Sequence, residues 1–158
     1  MKRSLSLFSL ALIALLGVGS LLISSPKVQA ADPSLKADGP VPVEPDMHEF
    51  MEYVFQPTFK RLKPAMAEAP ADNAGWKVLK EGSLKLAEGG NLLLARVPKE
   101  DSADWIKHSI GVRDFGGKFY RASQAKDFAT AKKNYESMVQ SCNACHHQFA
   151  HGEHILTP

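Results

Sequence analysis

The stretch FATAKKNYESMVQSCNACHHQF, Phe128 to Phe149, decides how this chain is read. Phe128, Ala131, Tyr135, Met138, Cys142, Cys145 and Phe149 recur along it at steps of three and four. That spacing puts them on one face of an α-helix, the seam by which a helix packs into a bundle. Both cysteines of the chain lie on the seam. At about 100° per residue, Cys145 stands about 60° to one side of Cys142 and His146 about 40° to the other. One helical turn therefore offers two thiols and an imidazole within about 100° of arc. His147 points away from His146 and reads as a solvated rim residue.

Four chemistries compete for these residues. Cys142-Asn143-Ala144-Cys145-His146 has the C-x-x-C-H spacing of covalent haem attachment. In that chemistry the thiols form thioethers with the haem vinyl groups, and the adjacent histidine stands under the iron as axial ligand. A thioredoxin-like redox pair belongs in a βαβ setting, which the helical periodicity does not supply. Structural zinc takes four ligands in a tetrahedron, and consecutive turns of one helix close such a figure poorly. A pair of buried cysteines without chemistry is the plain alternative.

Upstream of the seam, three more helical segments are expected. The first, from about Asp46 to Ala67, repeats Met47, Phe50, Met51, Val54, Phe55, Phe59 and Leu62 at helical steps, with Asp46 as N-cap. Pro57 lies inside it and should kink or split it. The second, about Ala74 to Arg96, carries Trp76, Leu79, Leu86, Leu93 and Leu94, and Gly89-Gly90 should weaken its second half. The third opens at Asp101 or Ser102 and carries Trp105, His108, Val112, Phe115, Phe119 and Ala122. No stretch alternates like a strand. Four helices with short connections predict an all-α, up-down-up-down antiparallel four-helix bundle.

The chain has 158 residues, which suits one domain. Residues 1–30 stand apart. They begin with Lys2 and Arg3, continue apolar to Ile23 and close on Val28-Gln29-Ala30. This is the pattern of a bacterial export signal peptide cleaved after Ala30; an uncleaved N-terminal membrane anchor is the alternative. Residues 31–45 are rich in Pro, Asp and Gly and read as an extended leader. The domain is then expected over 46–150, with a short polar tail at 151–158. Removing the signal takes away Lys2, Arg3 and Lys27 and no acid, leaving 16 basic and 17 acidic residues, a net of −1. Such a balance gives no grounds for nucleic-acid or anionic-membrane binding. An exported location, the periplasm in a Gram-negative cell, agrees with haem c, which bacteria attach outside the cytoplasm.

A signal peptide, a helical bundle of about 130 residues and C-x-x-C-H on the final helix together resemble the class II cytochromes c, the cytochrome c′ and cytochrome c-556 proteins. The resemblance covers 46–150, and its specific part is Cys142-Asn143-Ala144-Cys145-His146 near the C-terminus. It implies one covalent haem c with its iron, held by Cys142 and Cys145 and ligated by His146. It also implies unidentified redox partner proteins and a homodimer paired through helices. Class I cytochromes c differ, since they place the motif early and take a methionine ligand from further on, and no methionine follows Cys145 here.

The opposite side of the iron follows from topology. In an antiparallel bundle the end of the last helix lies beside the start of the first, so the haem should meet Met47, Met51 and Phe55. Their i, i+4, i+8 spacing puts them on one face. Met51 is the favoured distal ligand, with Met47 and Phe55 completing the distal pocket. The resemblance attaches a function to each outcome. A methionine ligand gives a closed, six-coordinate iron for one-electron transfer, as in c-556 proteins. A merely blocking Phe55 gives a five-coordinate iron that binds nitric oxide or carbon monoxide, as in cytochrome c′. Two positions depart from the c′ pattern: Met51 falls where many have an arginine near the haem propionates, and Phe149 is followed by Ala150 rather than Arg or Lys. His108, on the seam of the third helix, reads as a satisfied histidine or propionate partner, with bis-histidine ligation the lesser reading. No acid/base or nucleophile constellation points to an enzyme.

Overall fold

A computed structural model describes residues 39–158. The expected signal peptide and residues 31–38 of the leader lie outside them. Residues 39–46 carry no helix, and the described remainder is built of four helices packed on one another. The first, α1, covers residues 47–65 in three sections: α-helical Met47–Phe50, π-helical Met51–Phe55 and α-helical Gln56–Ala65. Then come α2, Asn73–Leu94, α3, Ser102–Gln124, and α4, Phe128–Phe149. Among the described residues there is no strand, and no helix is long and apolar enough to cross a membrane.

Three starts are capped by aspartate. The side chains of Asp46, Asp72 and Asp127 accept from the N–H of Glu49 at 2.9 Å, Gly75 at 2.8 Å and Thr130 at 3.0 Å. Each bond satisfies one of the first-turn donors that a helix leaves unpaired. The start of α3 differs from expectation: Asp101 is left-handed (φ 51°) and its side chain makes no capping bond.

Pro57 does not interrupt α1, whose helical sections are contiguous. Proline has no N–H to give the carbonyl of Tyr53, four residues earlier. The backbone absorbs the loss by widening, so that the N–H of Gln56 reaches back five residues to the carbonyl of Met51. Pro57 then occupies the first turn of the following α-helical section, where its missing donor costs nothing.

Side-chain pairings run in opposite senses along each successive pair of helices. Leu62 packs at Gly82 and Phe55 at Gly89, Gly90 meets Arg113 while Gly116 meets Ala87, and Gly111 meets Ser141 while His108 meets Gln148. All three pairs are thus antiparallel. The Gly89-Gly90 pair does not weaken α2, which runs unbroken to Leu94. The reason is close approach. A Cβ on Gly90 would stand 2.7 Å from the backbone nitrogen of Arg113, and one on Gly116 3.0 Å from the Cα of Ala87. Hydrogen at these positions lets α2 and α3 draw together.

The core combines Leu62, Leu79, Leu86, Val112, Phe119, Tyr135 and Met138. Buried Ser83, Ser109 and Ser123 each return their hydroxyl to the carbonyl four residues earlier, at 2.6, 2.8 and 2.9 Å, so none of these three is stranded, whereas the buried hydroxyl of Tyr135 has no partner among the described residues. Val54, expected on the packed face of α1, is 37% exposed, since the π section rotates the residues after Met51.

Candidate cofactor site

The inter-helix contacts are heaviest between α2 and α3 and between α3 and α4, and α1 leans on α2. Contact between α1 and α4 is sparse. Phe59 and Tyr135 bridge them with rings 6.5 Å apart. Toward the start of α1 and the end of α4 the two helices enclose a cavity of about 350 Å³, within the ~300–1,000 Å³ typical of ligand sites.

The seam of α4 supplies one wall, with Met138, Cys142, Cys145, His146 and Phe149. The facing wall is the strip of α1 that carries Met47, Met51, Phe55 and Phe59. Leu86 and Leu93 of α2 and Trp105, His108 and Val112 of α3 form the back. The residues expected to flank a haem are therefore gathered on one cavity, though they lie some 90 positions apart in the chain. Phe55 stays on it despite the π section, held by Gly89, whose missing Cβ would stand 2.7 Å from the ring, and by the edge of Phe50 at 5.7 Å.

The floor is rigid. Trp105 donates its indole N–H to the carbonyl of Leu93 at 2.9 Å and meets Phe149 edge-on at 5.1 Å. Phe50, Leu93, Trp105 and Cys145 form a buried cluster at this end, with Met47 and Met51 packed against it. His108 sits at the margin, where its Nε2 lies 3.3 Å from Gln148 Oε1, and Gln148 in turn donates to Asp104 at 3.0 Å. His147 is exposed, as expected, and His48 is largely exposed beside Glu52.

Desolvation governs the thiols. It pushes Cys142 up to about 12 and Cys145 up to about 11, so both stay protonated at neutral pH. A protonated pair on one helix, Cys145 buried and Cys142 half-buried, is ill suited to thiol–disulfide exchange, which needs an accessible thiolate. Among the described residues no group of three or more His, Cys, Asp and Glu side chains converges as a metal cluster would. The described donor set thus speaks against thiol–disulfide exchange and tetrahedral zinc, while two thiols and one imidazole lie on one largely apolar cavity that could hold an attached group.

His146 is held in one tautomer. Its Nδ1 lies 2.9 Å from the backbone carbonyl of His154. A carbonyl only accepts, so Nδ1 carries the proton and the lone pair of the neutral ring belongs to Nε2. Burial lowers the affinity of the ring for a second proton, and the positive potential of His154 and His147 acts the same way, against the opposing bond to the His154 carbonyl. The ring is therefore neutral at pH 7, in the form that coordinates metal.

The tail, expected to be a simple polar end, belongs to the site. His151, Gly152 and His154 all have positive φ (52°, 79° and 58°), and the chain reverses over the end of α4. Asn143 then grips Leu156 twice: it donates to the carbonyl at 2.9 Å and accepts from the N–H at 2.8 Å. His154 and Leu156 line the cavity mouth. Nothing in the sequence pattern marks Asn143 and Leu156 as partners, and only Gly152, just beyond the helix end, signals the reversal.

No family model, curated protein or solved structure matches this chain.

Proposed function

We propose that this chain is an exported monohaem cytochrome c similar to the class II proteins, working in one-electron transfer with redox proteins as partners. The observation that carries the reading is the meeting of Cys142, Cys145 and His146 on one apolar cavity, with the lone pair of His146 assigned to Nε2. Cys142 and Cys145 would hold haem c through their sulfurs and His146 would ligate its iron from α4. When bound, that group supplies an iron that cycles between ferric and ferrous states.

The rest is the work of the chain. Phe50, Leu93, Trp105 and Phe149 pack the floor and exclude water, which lowers the local dielectric and tunes a redox potential. Met51, with Met47 one turn before it, presents a thioether from α1 across the cavity and is the proposed distal ligand. The wedged position of Phe55 against Gly89 favours a second reading, in which a fixed aromatic ring keeps the distal side apolar and open only to small gases.

Absorption spectra of the oxidised and reduced protein, recorded with and without carbon monoxide, separate the two. A low-spin spectrum indifferent to carbon monoxide supports methionine ligation. A high-spin spectrum with rapid adduct formation supports the gas-binding reading. Loss of all haem colour on denaturation, in protein made by a host competent for haem attachment, contradicts both.

A further inference from the structure

The C-terminal tail makes one polar contact with the site that no motif requires. Its His154 carbonyl accepts from Nδ1 of His146 at 2.9 Å. Four features hold that carbonyl there. The N–H of Gly152 returns to the carbonyl of His146 at 3.1 Å, and that of Glu153 to Ala150 at 2.8 Å, which closes the turn. Three left-handed residues in four direct the chain back along α4. Asn143 pairs with both backbone groups of Leu156 at 2.9 and 2.8 Å, a two-bond latch that fixes register and direction. Leu156 packs against the core cluster, while Thr157 meets Lys63 Nζ from α1. The tail thus reaches from α4 to α1, two helices that otherwise touch little, and lines the cavity between them with His154 and Leu156.

We propose that residues 150–157 form a clasp, latched by Asn143, that fixes the tautomer of His146 and strengthens it as an iron ligand. The proposal rests on the haem reading above for its effect on iron, and on geometry alone for the clasp. An imidazole that donates its distant N–H to a carbonyl is more basic at the other nitrogen and is held in orientation. A more basic ligand favours ferric over ferrous iron, so the clasp lowers the reduction potential. Asn143, at a position the C-x-x-C-H spacing leaves free, acts as a positioning residue through His154 and His146.

Two measurements on the full chain test this. In the haem-free protein, ¹⁵N shifts of His146 at pH 8 should report the Nδ1–H tautomer. Asn143→Leu, which keeps the size and removes both latch bonds, should give a mixture with the Nε2–H form. Asn143→Asp keeps the acceptor for Leu156 N–H and should fall between. In the haem-loaded protein, Asn143→Leu should raise the reduction potential by a tenfold change in the ferric/ferrous ratio, about 59 mV for one electron. A chain ending at Gly152 should do the same, and it serves if Asn143→Leu does not fold. A native His146 in the Nε2–H form, or variants that alter neither tautomer nor potential, overturns the clasp. A chain that takes up no haem yet shows the tautomer shift overturns the haem reading and leaves the clasp standing.

Discussion

Met51 and Phe55 carry opposite consequences at neighbouring positions on one cavity wall. Met51→Ala should convert a low-spin iron to a high-spin one that takes up carbon monoxide, as read by the visible spectrum; an unaltered spectrum removes Met51 as ligand. The thiols give a pH prediction. Burial disfavours the thiolate, so the folded values of about 12 and 11 stand above the ordinary 9.0. A group whose folded value is raised stabilises the fold below its unfolded value and loses that contribution as pH rises past it. The haem-free protein should therefore lose stability from about pH 9 upward, less so in Cys142→Ala. Alkylation of the haem-free native protein at pH 8 should run on the order of 100-fold slower at Cys145 than in an unfolded chain whose thiols keep the ordinary 9.0, and slower still at Cys142; equal rates would contradict their desolvation. At this scale the sequence was informative where side chains act by position in a helical period, as with Cys142, Cys145 and His146. It was silent on the His154 carbonyl, because a backbone atom is the same in every residue and only the path of the chain brings it into play.

Along each helix, local rules and packing disagree in instructive places. Propensity alone marks Gly89-Gly90 as a weak point of α2, yet those glycines are what the neighbouring elements need. Gly90→Ala should cost about 1–3 kcal/mol by forcing α3 away, since the opposing atoms are the backbone of Arg113 and cannot rotate aside. Thermal or denaturant unfolding measures it, and a neutral result would contradict the close helix crossing. Asp72→Ala, which removes the α2 cap, should cost about 1 kcal/mol in the same assay. Pro57 was legible as a disturbance of α1, but the choice between kink, break and π turn was not. That choice depends on which solution keeps Met51 and Phe55 packed, a tertiary matter. The tail hides its role for the same reason: six polar or small residues in eight have the composition of a solvated end, and only the fold pairs Asn143 with Leu156.

The described residues form a bundle in which α2, α3 and α4 pack closely and α1 is set off from α4 by a cavity. Periodicity and connection length were enough to predict four antiparallel helices and which ends meet. They could not give the opening between α1 and α4, because hydrophobic pattern says that a face is buried and not what buries it. Filling that space with an attached group that contacts only the folded state should raise the melting temperature. The holoprotein should melt above the Cys142→Ala/Cys145→Ala double variant, and matching melting curves would indicate that the cavity is not the haem site. Covalent attachment at Cys142 and Cys145 is read from the intact mass of the denatured protein. The chain should be made with its export signal in a bacterium competent for haem attachment. The expected mass is that of the processed chain plus one haem, with the added mass on the peptide containing Cys142 and Cys145. A bare chain of unmodified mass would contradict it.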